Sequence, residues 1–145
     1  MSDVSLEKRS IMYVSTAHGL LHVLELAYGV VLVAVAADLG ASLLALGVIA
    51  NVFGFAYGLT ALPVGVLADR MSETRLLSGC ALGMGAAAIG VSVAPNTIAL
   101  GVALAVLGVA LGLFHPVASA FIARTATKTG LGFAYLGTGG NIGLA

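Results

Sequence analysis

The chain has 145 residues, of which 60% are hydrophobic and only 8% charged, with six basic and six acidic side chains cancelling to zero net charge. A soluble domain carries about 25% charged residues, so a mean hydropathy of +1.12 places this chain in lipid and leaves no basic footprint for nucleic acid. Twenty glycines and no tryptophan suit helices that pack through small faces, and the single Cys80 has no partner for an internal disulfide.

A bilayer core of about 30 Å takes roughly 20 apolar residues as a helix, and this length organises the chain. A short tail, 1–11, precedes a first apolar run over 12–37. Runs over 43–68, 76–94 and 97–123 follow, joined by polar segments too short to hold another domain. A fifth apolar segment, 130–145, has no polar flank behind it and reads as an incomplete span. The expectation is an all-α membrane protein with about four full transmembrane helices plus an incomplete fifth, the start of a longer chain.

All six basic residues, Lys8, Arg9, Arg70, Arg75, Arg124 and Lys128, fall in the tail and alternate joints, which puts that side and the N-terminus in the cytoplasm. Lys8-Arg9 followed by an apolar run also suits a signal peptide. The run is too long for one and contains His18, His22 and Glu25.

Those three residues should not be in a membrane without a reason. A charge at mid-span costs about 3 kcal/mol on insertion scales, so Glu25 must be paired, wet or protonated. Spacings of four and three put His18, His22 and Glu25 on one stripe of a helix. At about 1.5 Å per residue, His115 in the inward-running fourth span lies between His18 and His22 in depth. Pro116 follows it, frees the carbonyl of Gly112 and favours a kink. Intramembrane ionisable groups of this kind mark ion, proton or substrate paths, and structural hydrogen bonding between helices is the plainer reading. Asn51 and Asn141 add amides at intermediate depth, Asn51 being the better fit to plain helix bonding. Gly54/Gly58, Gly79/Gly83 and Gly108/Gly112 have the spacing of close-packing helix faces.

Motifs for enzymes are missing: there is no P-loop, no Gly-x-Ser-x-Gly and no cysteine pair. His18 and His22 have the spacing of a metal-binding face without the glutamate of the zinc-protease motif. No metal or cofactor is assigned. A haem- or metal-carrying subunit, or a structural membrane protein, remains the alternative to a transporter.

The segment Gly65-Val66-Leu67-Ala68-Asp69-Arg70 resembles the cytoplasmic loop between helices two and three of the major facilitator superfamily, Gly-x-Leu-Ala-Asp-Arg-x-Gly-Arg-Lys. Ser72, Glu73 and Thr74 stand where that pattern has Gly, Arg and Lys. Phe114-His115-Pro116, Ala118-Ser119, Ala123-Arg124 and Gly139-Gly140-Asn141 with Gly143 are similar to the fosmidomycin-resistance type of facilitator efflux proteins, as is His18. His22 stands where an acidic residue is expected, and Leu104 where many facilitator drug exporters have arginine. The resemblance covers helix one into helix five. It implies a non-enzymatic secondary transporter of about twelve helices, of which this chain is part of the amino-terminal half, with helices one and four lining a central cavity. It further implies proton-coupled efflux of a small organic molecule, as an antiporter in the bacterial or archaeal plasma membrane. His18, His22, Glu25, His115 and Asn141 would line the substrate or proton path, Pro116 would kink helix four, and Gly65, Asp69 and Arg70 would form the gate loop. The partners so implied are the substrate, protons, the lipid bilayer and the remaining helices of the transporter.

Overall fold

The computed structural model describes residues 3–60 and 63–145, apart from the side chains at positions 3, 31, 65, 68 and 69. Among the described residues every regular element is a helix: α1 (Asp3–Leu39), α2 (Leu43–Thr60), α3 (Val64–Arg70), α4 (Glu73–Ser92), α5 (Thr97–Thr125) and α6 (Thr129–Leu144). Among them α2, α4 and α5 are long and apolar enough to cross a membrane, and α1 makes a fourth span if its two segments are taken together. Those segments, Val4–Val30 and Leu32–Leu39, meet at 56°, just beyond Gly29 and beside β-branched valines that favour helix less. Large apolar side chains point outward all around the bundle, Val30, Leu82 and Ile98 being 84%, 76% and 79% exposed, which suits lipid as the surrounding medium.

Local chemistry sets the helix ends. Gly40 adopts φ +58°, the left-handed conformation open to glycine, and Ala41 N–H donates back to Ala36 O at 3.0 Å, closing α1. Ser42 accepts from Ala45 N–H at the start of α2, Ser72 from Arg75 N–H before α4, and Asn96 from Ala99 N–H before α5. Within the expected run over 43–68, α2 covers Leu43–Thr60 and α3 covers Val64–Arg70, with Pro63 at the N-cap of α3 and residues 61–62 outside the described residues. Proline has no N–H for the carbonyl four residues earlier, and its ring crowds that turn. The short α3 still belongs to the bundle, because Val64 is buried with Leu76 and Val117.

The core sits on α5. Leu100, Leu104, Leu107, Leu111, Phe114, Ala118 and Ile122, three or four residues apart, form its buried stripe. Gly108 and Gly112 put α2 directly against α5: a Cβ on Gly108 would lie 2.5 Å from Phe53 O, and one on Gly112 would overlap Tyr57 O. Among the described residues Gly54, Gly58 and Gly79 have no such neighbour and Gly83 meets only the Cβ of Ala110, so of the three expected glycine pairs only Gly108/Gly112 is a close backbone contact there. α4 packs on another side of α5.

α1 and α6 make a second tight pair, again through glycine. A Cβ on Gly139 would overlap the carbonyl of Ser15, and one on Gly143 the carbonyl of Gly19. The bundle thus consists of an α1–α6 pair and an α2–α4–α5 group, with far fewer contacts across the seam than within either part.

Candidate functional site

That seam is where the polar side chains of α1 meet α5. His18, His22 and Glu25 lie on the stripe of α1 that their spacing dictates, all partly buried. His18 Nδ1–H donates to the backbone carbonyl of Leu136 on α6 at 2.8 Å. A carbonyl can only accept, so this bond places a proton on Nδ1 of His18 and, in the neutral ring, leaves Nε2 with its lone pair. His22 Nε2 stands 3.2 Å from His18 Nε2, and His22 Nδ1 stands 2.8 Å from Glu25 Oε2. One proton belongs between each pair of atoms.

The proton count of this chain has a consequence. Three hydrogen bonds hold three protons, and the total charge is zero whether Glu25 is a carboxylate beside a His22 imidazolium or a carboxylic acid beside a neutral His22. A third state, with the imidazolium at His18 and Glu25 ionised, also keeps every bond. Short proton shifts therefore move positive charge along α1 while the heavy atoms stay in place. Each partner also answers the desolvation of the others, which is what a carboxylate within a membrane requires.

His115 of α5 closes the cluster from the opposite side of the seam. Its ring centroid lies 5.0 Å from that of His18, edge-on, and 5.5 Å from that of His22. The equal-depth argument from the sequence put these histidines within reach, and the structure brings them together. Phe114, buried on α5, stacks on His18 at 6.0 Å, and Tyr57 of α2 stands edge-on to His115 at 6.1 Å. Gly140 of α6 forms the remaining wall: a Cβ there would sit 2.6 Å from His18 Cε1, so any larger residue would force the imidazole to shift. Leu136, Gly140, Phe114 and Tyr57 were not among the candidates from sequence. A backbone carbonyl has no residue signature, and Gly139-Gly140 entered from the sequence only as part of the motif that carries the resemblance.

The other candidates lie elsewhere. Asn141 follows Gly140 and is exposed on α6. Asn51 donates to Gly47 O of its own helix at 2.8 Å. Pro116 is within α5, whose helix continues across it to Thr125. Arg70 is exposed at the end of α3, and the side-chain surroundings of Gly65 and Asp69 lie outside the described residues.

Around the joints that carry the basic residues, polar contacts hold the bundle ends. Glu73, in the first turn of α4 where a helix dipole favours an acid, pairs with Arg124 in the last turn of α5. Among the described residues its buried Oε1 has no partner besides that guanidinium. Ser72 caps the same helix, so two of the three residues that depart from the facilitator loop pattern have structural work of their own. Glu7 accepts from the Thr127 hydroxyl at 2.6 Å and from the Thr127 backbone N–H at 2.8 Å, tying α1 to the α5–α6 joint. Those two donors hold the Glu7 carboxyl below its ordinary 4.5.

Apolar spans wrapped around a small set of ionisable groups define an integral membrane protein of the helical-bundle class, with a polar site reached between helices. Residues 14–145 match the Major Facilitator Superfamily, nearly the whole chain, and the chain belongs to that family. It is thereby a transporter of the major facilitator type, a family that moves small molecules across membranes and is generally not enzymatic. No curated protein and no solved structure matches it.

Proposed function

We propose that this chain forms part of a proton-coupled secondary transporter that exports a small organic molecule in exchange for protons by alternating access. The observation that carries the reading is the continuous chain from Glu25 through His22 to His18, placed at the seam between two helix groups and faced by His115. Ionisable groups inside a membrane mark ion and substrate paths, and a neutral, fully bonded relay suits proton exchange with a site that opens to either side. Protons load on Glu25 and the histidines, while the aromatic faces of Phe114 and Tyr57 beside them suit an organic substrate.

The remaining roles rest on the resemblance of the loop and helix motifs. Asp69 and Arg70, after Gly65, govern closure on the cytoplasmic side against the remaining helices of the transporter. Pro116 and the interfacial glycines permit bending, and Asn141 contributes to the path in another conformation. The six basic residues support a cytoplasmic N-terminus, in a bacterial or archaeal plasma membrane. The fosmidomycin-resistance-type motifs support the efflux branch.

The test is flux in proteoliposomes under an imposed proton gradient, using a panel of small organic compounds. The gradient is expected to drive export of at least one compound, with Glu25→Gln lowering that flux by about 100-fold or more, the usual scale for loss of a general acid–base group. A gradient that drives no compound, or a Glu25→Gln protein with unchanged pH dependence, overturns the proton coupling.

A further inference from the structure

The histidine cluster has a second property that proton exchange does not require. With His18 Nδ1 bonded to Leu136 O and His22 Nδ1 to Glu25 Oε2, the two Nε2 atoms face each other at 3.2 Å. When both Nδ1 atoms carry the donated protons and nothing lies between the rings, two lone pairs oppose each other. A proton relieves that repulsion, and so does a metal cation. Two nitrogens bound to one tetrahedral Zn²⁺ at about 2.0–2.1 Å stand about 3.3 Å apart, close to the separation found here.

We propose that His18, His22 and His115 form a binding site for one divalent transition-metal cation of the Zn²⁺ class, held through Nε2 of His18 and His22 and a ring nitrogen of His115. One potential ligand atom from each of the three lies within 4.8 Å of the others. His115 therefore has to move closer by about the difference between that spacing and a tetrahedral edge, which rotation of its side chain supplies. The surroundings are those of a metal-binding histidine pair, because each imidazole on α1 gives its other N–H to an acceptor: one to a backbone carbonyl and one to a carboxylate. Such partners fix the ring and make the ligand more basic. Glu25, bonded to His22 and adjacent to the cation, offsets part of its charge without occupying a ligand position.

The donor set selects the class of ion. Three imidazoles without a carboxylate ligand suit Zn²⁺, Co²⁺, Ni²⁺ or Cu²⁺, whereas Mg²⁺ and Ca²⁺ require oxygen. Three protein ligands leave a fourth position open, so the cation can exchange or accept a donor atom from a bound molecule. Because two ligands come from α1 and one from α5, the bound cation also ties the two helix groups across their seam.

This inference rests on the same cluster as the transport reading, and it is tested by binding alone, with neither a gradient nor a substrate, so that each can fail separately. Tag-free protein in detergent is titrated with Zn²⁺ by calorimetry, and with Co²⁺ by visible absorption. The expected result is one equivalent of Zn²⁺ bound, no competition from excess Mg²⁺ or Ca²⁺, and the intense visible bands of tetrahedral Co²⁺. His18→Gln and His115→Gln should each weaken Zn²⁺ binding at least about tenfold, and Glu25→Gln about 10–100-fold through the lost outer partner. Asn51→Leu should change nothing. Absence of saturable Zn²⁺ binding by the unaltered protein overturns the proposal, as does an octahedral Co²⁺ spectrum. Equal affinity in His115→Gln protein with intact helical content and a single elution peak also overturns the three-histidine site. The Co²⁺ spectrum of the unaltered protein decides the matter should the variants not fold.

Discussion

The α2–α4–α5 group and the α1–α6 pair solve the same problem with different means. In lipid, apolar burial gives helices little reason to associate, so both parts rely on backbones brought close by glycine: Gly108 and Gly112 against α2, Gly139 and Gly143 against α1. The first group also carries the buried stripe of α5, with Leu104, Leu107, Leu111 and Ile122, which shares one apolar cluster with Ile11, Val14 and Leu21 of α1 and Leu136 of α6. The pair devotes the equivalent face of α1 to His18, His22 and Glu25, and borrows a backbone carbonyl of α6 as the terminal acceptor. One part is a packed scaffold and the other carries ionisable groups, with sparse contacts between them. A site where two helix groups meet through few backbone contacts can change its exposure as the groups move, which is the property a transporter needs.

The contrast is broken most completely at the glycines. Gly139→Val places branched carbons against the Ser15 backbone, which cannot yield as a side chain can, and should destabilise the α1–α6 pair by about 1–3 kcal/mol or prevent its formation. Thermal unfolding in detergent reads this, and Gly58→Ala, at a position with no close neighbour, should leave the transition within about 0.5 kcal/mol of the parent. Gly140→Ala is the more pointed change. It crowds the His18 ring and should impair flux under a proton gradient more than it lowers thermal stability.

Smaller effects are expected at the bundle ends. Loss of the Glu73–Arg124 pair through Arg124→Gln should cost about 1–2 kcal/mol, because the guanidinium is largely exposed but the Glu73 oxygen it leaves behind is buried, and the difference from the parent should shrink at high salt. The smallest effect belongs to Glu7. Its folded carboxyl titrates below 4.5, so its contacts with Thr127 contribute stability above that value, and the contribution is lost as pH falls through the lower, folded value. Glu7→Gln should abolish that acid-side dependence, read as helix-end protection by hydrogen exchange at residues 126–128.

Much of this was legible in the sequence, for identifiable reasons. Apolar run lengths give the spans, since lipid thickness imposes them, and helical spacing puts His18, His22 and Glu25 on one stripe. Depth arithmetic sets His115 opposite them because straight spans rise by a constant amount per residue. Glycine spacing did not separate Gly54 and Gly58, which face no neighbour among the described residues, from Gly108 and Gly112, which touch Phe53 and Tyr57, because spacing names a face without naming what lies opposite. The Leu136 acceptor and the Glu73–Arg124 pair depend on how helices are placed, and no local pattern encodes either.

The central claim is that Glu25, His22 and His18 form one hydrogen-bonded chain ending on α6. The chain has only three histidines, so ¹⁵N-histidine solid-state NMR of the protein in bilayers can assign every ring nitrogen. The account predicts a protonated Nδ1 on His18, a hydrogen-bonded correlation between the Nε2 atoms of His18 and His22, and a changed His22 Nδ1 signal in Glu25→Gln. Three independent imidazoles with the tautomer mixture of free histidine, unaltered by Glu25→Gln, would contradict it.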